Sequence, residues 1–392
     1  MMQQEQGPET TRLEFDRAFG GQGEGWPRMY QAPARINIIG EHTDYNGGFV
    51  LPSTIDLHTW AVISPREDRL LQVLDITAKQ LHSIDLEKLE RGEKGQPIEY
   101  LKGVAWALAE EGLDLRGCNV AIAGNIPLGG GLSSSASLEL ALALALLETA
   151  GFGLDRKKLA LLCQRAEVEF VGARCGIMDQ FAIAMCAQGR AMMLDCLSQD
   201  HELLVIPPDL RFLVVHSGVR HRVSTGSYNA RREECDAAVE RLRQVVPGLE
   251  CLRDVTEDQL ETHRELLDDI IYRRARHVIR ENNRVLAARE ALVNNDLENL
   301  GLLVNQSHAS LRDDFEVSCD ELDRLVDIAL GCDGVLGSRM MGAGFGGCTI
   351  SLVRAGSARQ VAASISEQYA REFGETPWMH IAASTPAVNR VS

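Results

Sequence analysis

Residues 124–151 read GNIPLGGGLSSSASLELALALALLETAG. Three consecutive glycines, three serines and a strongly apolar run closed by a glycine leave few folds open. Glycine accepts positive φ and lets backbone approach a ligand closely. Gly129, Gly130 and Gly131 can therefore turn their N–H groups inward as a nest for an anion. Past Leu132, Ser133, Ser134 and Ser135 stand at the mouth of a helix, suited to capping it, where the helix dipole adds roughly half a positive charge. Phosphate is a natural ligand there. A flexible Gly/Ser loop ahead of a core helix would give the same order. No G-x-x-x-x-G-K-[ST] occurs, so this is not a Walker loop.

A second glycine cluster, Gly342-Ala343-Gly344-Phe345-Gly346-Gly347, fits the dinucleotide fingerprint G-x-G-x-x-G. That fingerprint needs a strand before it and a helix after it. Here the strand-like CTISLV follows at once, which argues against a dehydrogenase. A turn that packs its backbone against the phosphate loop or a substrate fits better.

Residues 32–52, APARINIIGEHTDYNGGFVLP, form the third constellation. An apolar strand ends at Gly40 and releases Glu41, His42 and Asp44 within four positions. Carboxylates beside a turn suit polyhydroxyl ligands, because each accepts several hydroxyl hydrogens. A capped, solvated loop with a structural histidine is the plain alternative. In CGIMDQF, Asp179 follows a glycine turn and opens an apolar helical segment, the usual place of an N-cap. Glu167, twelve residues upstream, is a carboxylate that with a serine hydroxyl could complete a Mg²⁺ shell.

The 392 residues suffice for two domains, and we expect a first from 1 to 204 and a second from 205 to 392, hinged near Pro207-Pro208. Expected elements in the first part are strands at 61–63, 71–74, 120–122 and 191–194, the helix after Ser133 ended by Gly151, and a helix over 156–170. The second part should resume with a strand at 214–215 and run helical from about 270 to 331. It should close with strand 349–353, helix 358–373 and strand 379–383. Net charge is −16 with no Lys/Arg run, which disfavours nucleic acid and anionic membrane as partners. The polar start MMQQEQGPET is unlike a signal or transit peptide. Ten cysteines without a C-x-x-C pair read as reduced, mostly buried thiols of a cytosolic protein.

Taken together, RINIIGEHTDYNGGFVLP, PLGGGLSSSAS and SRMMGAGFGGC, with CGIMDQF, SYNARREECD and SHASLRDDFEVSC between them, resemble the galactokinase branch of the GHMP small-molecule kinases. The resemblance runs over nearly the whole chain. It implies an α+β, two-domain GHMP-kinase-like fold with the active site in the cleft between domains. The activity implied is ATP-dependent phosphorylation of D-galactose at its C1 hydroxyl, the first committed step of galactose catabolism. Asp179 would face the anomeric hydroxyl as base or orienting group, with Arg35 pairing to it and to the phosphoryl group. Ser135 and Glu167 would hold Mg²⁺. Gly129–Ser134 would wrap the ATP phosphates with Arg220 nearby, and Glu41, His42, Asp44, Gly176 and Tyr228 would line the sugar site. A monomer or weak homo-oligomer in the cytoplasm is expected. Ala34 and Met341 depart from the usual glycine and threonine. Two rivals are a kinase-like galactose sensor and a kinase for a related sugar such as N-acetylgalactosamine. The complete Ser133–Ser137 stretch disfavours the first, and Thr43 the second.

Overall fold

The computed structural model describes residues 7–20, 23–93, 96–219 and 225–391. Arg220 lies outside the described residues.

The strand expected within 61–63 is the later part of a long one, Pro52–Pro65, whose β-branched and apolar residues are buried on both faces. It sits at the heart of a six-stranded sheet. The order is Asn389–Arg390, Arg28–Asn37, Pro52–Pro65, Cys118–Gly124, Leu70–Asp75, Gln80–Asp85, and only the pairing of Leu70–Asp75 with Cys118–Gly124 is parallel. On one face lies the helix Ser134–Ala150, ended as expected by Gly151 in a left-handed conformation. Its residues are buried nearly all round, because it runs between the sheet and the helices Ile98–Glu110, Arg156–Arg165 and Met178–Met185. The helix Pro8–Phe19 covers the other face, inserting Phe15 against Met29, Trp60 and Val62.

A four-stranded antiparallel sheet carries much of the second half, in the order Val335–Met340, Cys348–Arg354, Leu210–His216, Trp378–Ala382. The helices Asp320–Leu330 and Ala358–Phe373 pack on it through Leu325, Val361 and Ile365. The expected helical stretch resolves into Asp269–Val293, Leu297–Asp313 and Asp320–Leu330. A small sheet of Phe49–Val50, Arg190–Asp195 and His201–Val205 lies beside them.

The two halves are stitched together. Ile36, Ile38, Leu51, Ile126 and Leu132 share one core with Phe212, Val214, Val285 and Ile350. The segment after Ala382 also crosses back: Ser384 bridges Ile55, and Asn389–Arg390 pairs with Gln31 and Tyr30. The first sheet therefore takes an edge strand from beyond residue 205. No helix among the described residues is long and apolar enough to cross a membrane.

Candidate active site

The first strand delivers the site. Arg28–Asn37 ends in the turn at Gly40, whose φ of 108° suits glycine; a Cβ there would lie 2.8 Å from the Phe49 carbonyl oxygen. Arg35 points from this strand into a cavity of about 300 Å³, with its side chain 5% exposed. Its Nε and Nη2 donate to the two oxygens of Asp179 at 2.7 and 2.9 Å, a bidentate pair that fixes the carboxylate plane. The third guanidinium nitrogen donates to the Gly131 carbonyl.

Ser133 also donates to Asp179 Oδ2. This corrects the capping expectation for that residue. Ser133 has φ 61°, outside the extended geometry of an N-cap, and its hydroxyl makes no cap bond. The left-handed backbone aims the hydroxyl at the carboxylate instead. Asp179 is not a cap either, since Ile177 holds that position and Asp179 sits inside the first turn.

Gly129 and Gly131 have φ 73° and 70°, with Gly130 between them on the ordinary side. Such alternation turns successive N–H groups to one side, the geometry of an anion nest. The nest opens onto the N-terminus of the helix Ser134–Ala150, whose dipole favours an anion. The second glycine cluster follows the strand Val335–Met340 and packs against the nest: a Cβ on Gly342 would lie 2.8 Å from Gly131 Cα, and one on Gly347 3.1 Å from the Gly129 oxygen. The backbone contact expected of that cluster is present.

Ser135 donates to Glu167 Oε1 at 3.3 Å. Glu167 lies not in the α-helix expected to reach residue 170 but in a π turn, Ala166–Val171, after that helix ends. Such bulges often mark functional positions. Burial, and then the Asp179 charge, push the Glu167 carboxyl up to about 7. Gln180 holds its other oxygen at 2.7 Å and reaches the fully buried Glu139 at 3.3 Å.

On the opposite wall stand Glu41, His42, Asp44 and Tyr228. Glu41 is 2% exposed and accepts from Asn37 at 2.6 Å, Arg339 at 2.6 Å and the Gly342 amide at 3.0 Å. It thus ties the first strand to the second glycine cluster. A carboxylate has about four lone-pair sites, so one remains for a ligand hydroxyl. His42 bonds the Tyr45 hydroxyl through Nδ1 at 2.8 Å, and its buried Nε2 has no partner among the described residues. Burial, with His277 and Arg231 nearby, drives its pKa down to about 3, so the ring is neutral. The Tyr228 ring lies 5.7 Å from it.

Asp44 opens the turn Asp44–Asn46, and its Oδ2 lies 2.0 Å from where a Cβ on residue 176 would be. Glycine at 176 is what lets the Cys175–Met178 segment close on Asp44. Burial, then repulsion from Asp179, raise the Asp44 carboxyl to about 6.

All described members of the expected set meet around this cavity and the adjoining loop. Tyr100, Arg174, Cys175 and Asn229 also line it, though the sequence reading did not single them out. Asn229 and Cys175 fall inside segments already quoted, SYNARREECD and CGIMDQF. Tyr100 carries no local signal, because only the packing of its helix brings it to the cavity. Among the described residues no group of three or more His, Cys, Asp or Glu forms a metal cage.

Known proteins resemble this chain in both sequence and fold. The family profile described as GHMP kinases N terminal domain matches residues 99–187, the galactokinase galactose-binding signature matches 13–65, and GHMP kinases C terminal matches 288–371. The galactokinase of Chloroflexus aurantiacus is 43% identical over 88% of this chain and 89% of its own. That of Thermococcus kodakarensis is 40% identical over 92% of this chain and 99% of its own. The Lactococcus lactis galactokinase crystallised with galactose superposes with a TM-score of 0.94 at 32% identity, covering 98% of this chain and 99% of that one. A mevalonate kinase at 18% identity, covering 91% of this chain and 99% of its own, shares the fold with a TM-score of 0.63. With full-length relatives at this identity, the chain belongs to the galactokinase family of the GHMP kinases.

Proposed function

We propose that this protein transfers the γ-phosphoryl group of ATP to the C1 hydroxyl of D-galactose, giving galactose 1-phosphate and ADP. The observation that carries the reading is the Arg35–Asp179 pair, held bidentate at the junction of the Gly129–Ser133 nest and the Glu41–Asp44 loop. Phosphoryl transfer needs alignment and charge neutralisation more than covalent chemistry. The nest and helix N-terminus receive the ATP phosphates, while Asp44 and Tyr228 receive the sugar. Asp179 accepts the hydrogen of the attacking hydroxyl, or orients that hydroxyl until the bond to phosphorus is nearly formed. Arg35 keeps the carboxylate in place and lends positive charge to the transferring group.

Mg²⁺ suits the Ser135–Glu167 pair: both are hard oxygen donors, and a buried carboxylate raised to about 7 gains from a neighbouring cation. A bound Mg²⁺ would neutralise phosphate charge there, completing its shell with waters and phosphate oxygens. Glu167→Ala should raise the Mg²⁺ concentration for half-maximal turnover about tenfold or more, with partial rescue at high Mg²⁺. An unchanged Mg²⁺ titration would remove Glu167 from that role. The ten cysteines are all unpaired, five buried and five partly so, which supports a reducing cytoplasm.

Asp44 gives the pH dependence. Only its ionised form accepts hydroxyl hydrogens at both oxygens, so kcat/KM for galactose should fall as pH drops through about 6. Asp44→Asn should lose that acid limb. The raised value also means that ionising this group costs folded-state stability: the cost is absent below the ordinary aspartate value of 3.8 and grows as pH rises from there to about 6.

The deciding experiment couples ADP release to a panel of sugars with Mg·ATP, with NMR of the product. Galactose-dependent ADP with phosphate on C1 is the expected result. Galactose binding without ADP release would mean a sensor, and phosphate on C6 would overturn the mechanism.

A further inference from the structure

The loop 40–49 that presents His42 and Asp44 is gripped from behind by residues that no part of the reaction uses. Three of them are carried by the helix Asp269–Val293, at positions 277, 281 and 282. Glu281 Oε1 accepts the Gly40 N–H at 3.0 Å and is itself fixed by the Ser307 hydroxyl at 2.6 Å. His277 Nε2 lies 3.1 Å from the Glu41 carbonyl oxygen, and since a carbonyl only accepts, that nitrogen carries the proton. Asn282 Oδ1 accepts the Phe49 N–H at 2.9 Å. From a separate turn, Arg253 donates to the Gly47 carbonyl at 3.1 Å, pairs with Asp195, and lies 4.2 Å over the Phe49 ring. The amides at both ends of the loop and two of its carbonyls are thus bonded to elements from the second half of the chain. Of these four side chains none lines the cavity.

The loop needs that hold. His42 and Gly47 both have positive φ, at 64° and 66°. For histidine this conformation is uncommon and persists where its surroundings impose it. Its own bonds, Thr43 Oγ1 to the Gly40 and Phe49 carbonyls and Asn46 to the His42 carbonyl, close the loop on itself, and it is tied to the body elsewhere through the Glu41 carboxylate and through the Gly48 carbonyl, which accepts from the Cys196 N–H at 2.9 Å.

We propose that Asn282, with Glu281 and His277, is a positioning residue for sugar recognition. Together these residues of the helix fix the backbone pose in which Asp44 and His42 meet the galactose hydroxyls, and the inference rests on the galactose reading above. If the presenting pose falls to a tenth of the population, apparent sugar affinity falls by that same factor.

The test uses Asn282→Ala, which deletes the acceptor, and Asn282→Asp, which keeps it. Glu281 is less useful because its removal would strand the partly buried Arg284, with which it pairs at 2.7 Å. The expected result is a galactose KM raised about tenfold in Asn282→Ala, with ATP KM and kcat within about twofold, and recovery in Asn282→Asp. Hydrogen exchange should quicken at the 40–49 amides and nowhere else. A galactose KM that does not move, or one that rises together with ATP KM and a lower melting temperature, overturns the proposal. If the wild-type protein fails to phosphorylate galactose, the kinase reading falls by itself. Exchange at 40–49 then decides: faster exchange confined there upholds the positioning role, and unchanged exchange overturns it.

Discussion

Replacing Asp179 by asparagine is expected to lower galactose phosphorylation by about 10²–10⁴-fold in a protein that stays folded. Asparagine keeps the volume and one oxygen for Arg35, but it accepts a proton far more weakly. Alanine is the less clean choice. It would leave a guanidinium that is 5% exposed without its carboxylate, while Gly131 retains only one of its bonds. Breaking a fully buried pair costs roughly 3–5 kcal/mol, and the cost here should be nearer 1–3 because Asp179 is 29% exposed. Steady-state kinetics and a thermal melt on both variants separate the two effects. Near-normal turnover in Asp179→Asn would reduce the residue to a structural partner of Arg35.

The second large effect concerns which sugar is used. Galactose and glucose differ only at C4, so a pocket that tells them apart must leave a buried polar group unpaired when that hydroxyl moves. Each such group costs about 1–3 kcal/mol, and a charged acceptor more. With Asp44 as acceptor and Tyr228 beside it, the preference for galactose over glucose in kcat/KM should be roughly 10²-fold or greater. Asp44→Ala should lower the galactose value strongly and narrow that gap. Gly176→Ala should do the same without touching Asp44 chemically, since its Cβ would fall 2.0 Å from Asp44 Oδ2. Comparable turnover of glucose by the wild type, or a gap that survives in both variants, would remove Asp44 from specificity.

Much of this site was legible in the sequence because its parts are local. Gly129–Ser135 declares an anion nest through glycine spacing, and the Glu41–Asp44 turn declares itself through polar residues released at the end of an apolar strand. The helix ending at Gly151 and the one over 358–373 were legible for the same reason. What escaped depends on contacts between distant segments. Ser133 looked like a cap because nothing local reveals a left-handed backbone. Glu167 looked helical because nothing local in the sequence marks the change from the α-helix ending at Arg165 to the π turn Ala166–Val171 that continues it. Arg339 sits in the second glycine segment, yet its bond to Glu41 exists only once two strands some three hundred residues apart meet.

The strand Arg28–Asn37 carries Arg35 and leads into the 40–49 loop, and one flank of its Met29–Gln31 stretch is covered by residues 389–391. During synthesis the strand that bears Arg35 is made more than three hundred residues before the segment that covers this flank. While the residues between them are being made, its unpaired backbone on that side is an open template for another chain. Nascent-chain aggregation should therefore be sensitive to changes at Asn389 and Arg390, far in sequence from anything that touches substrate, and a chaperone acting on this protein should find its target at the Arg28–Asn37 edge.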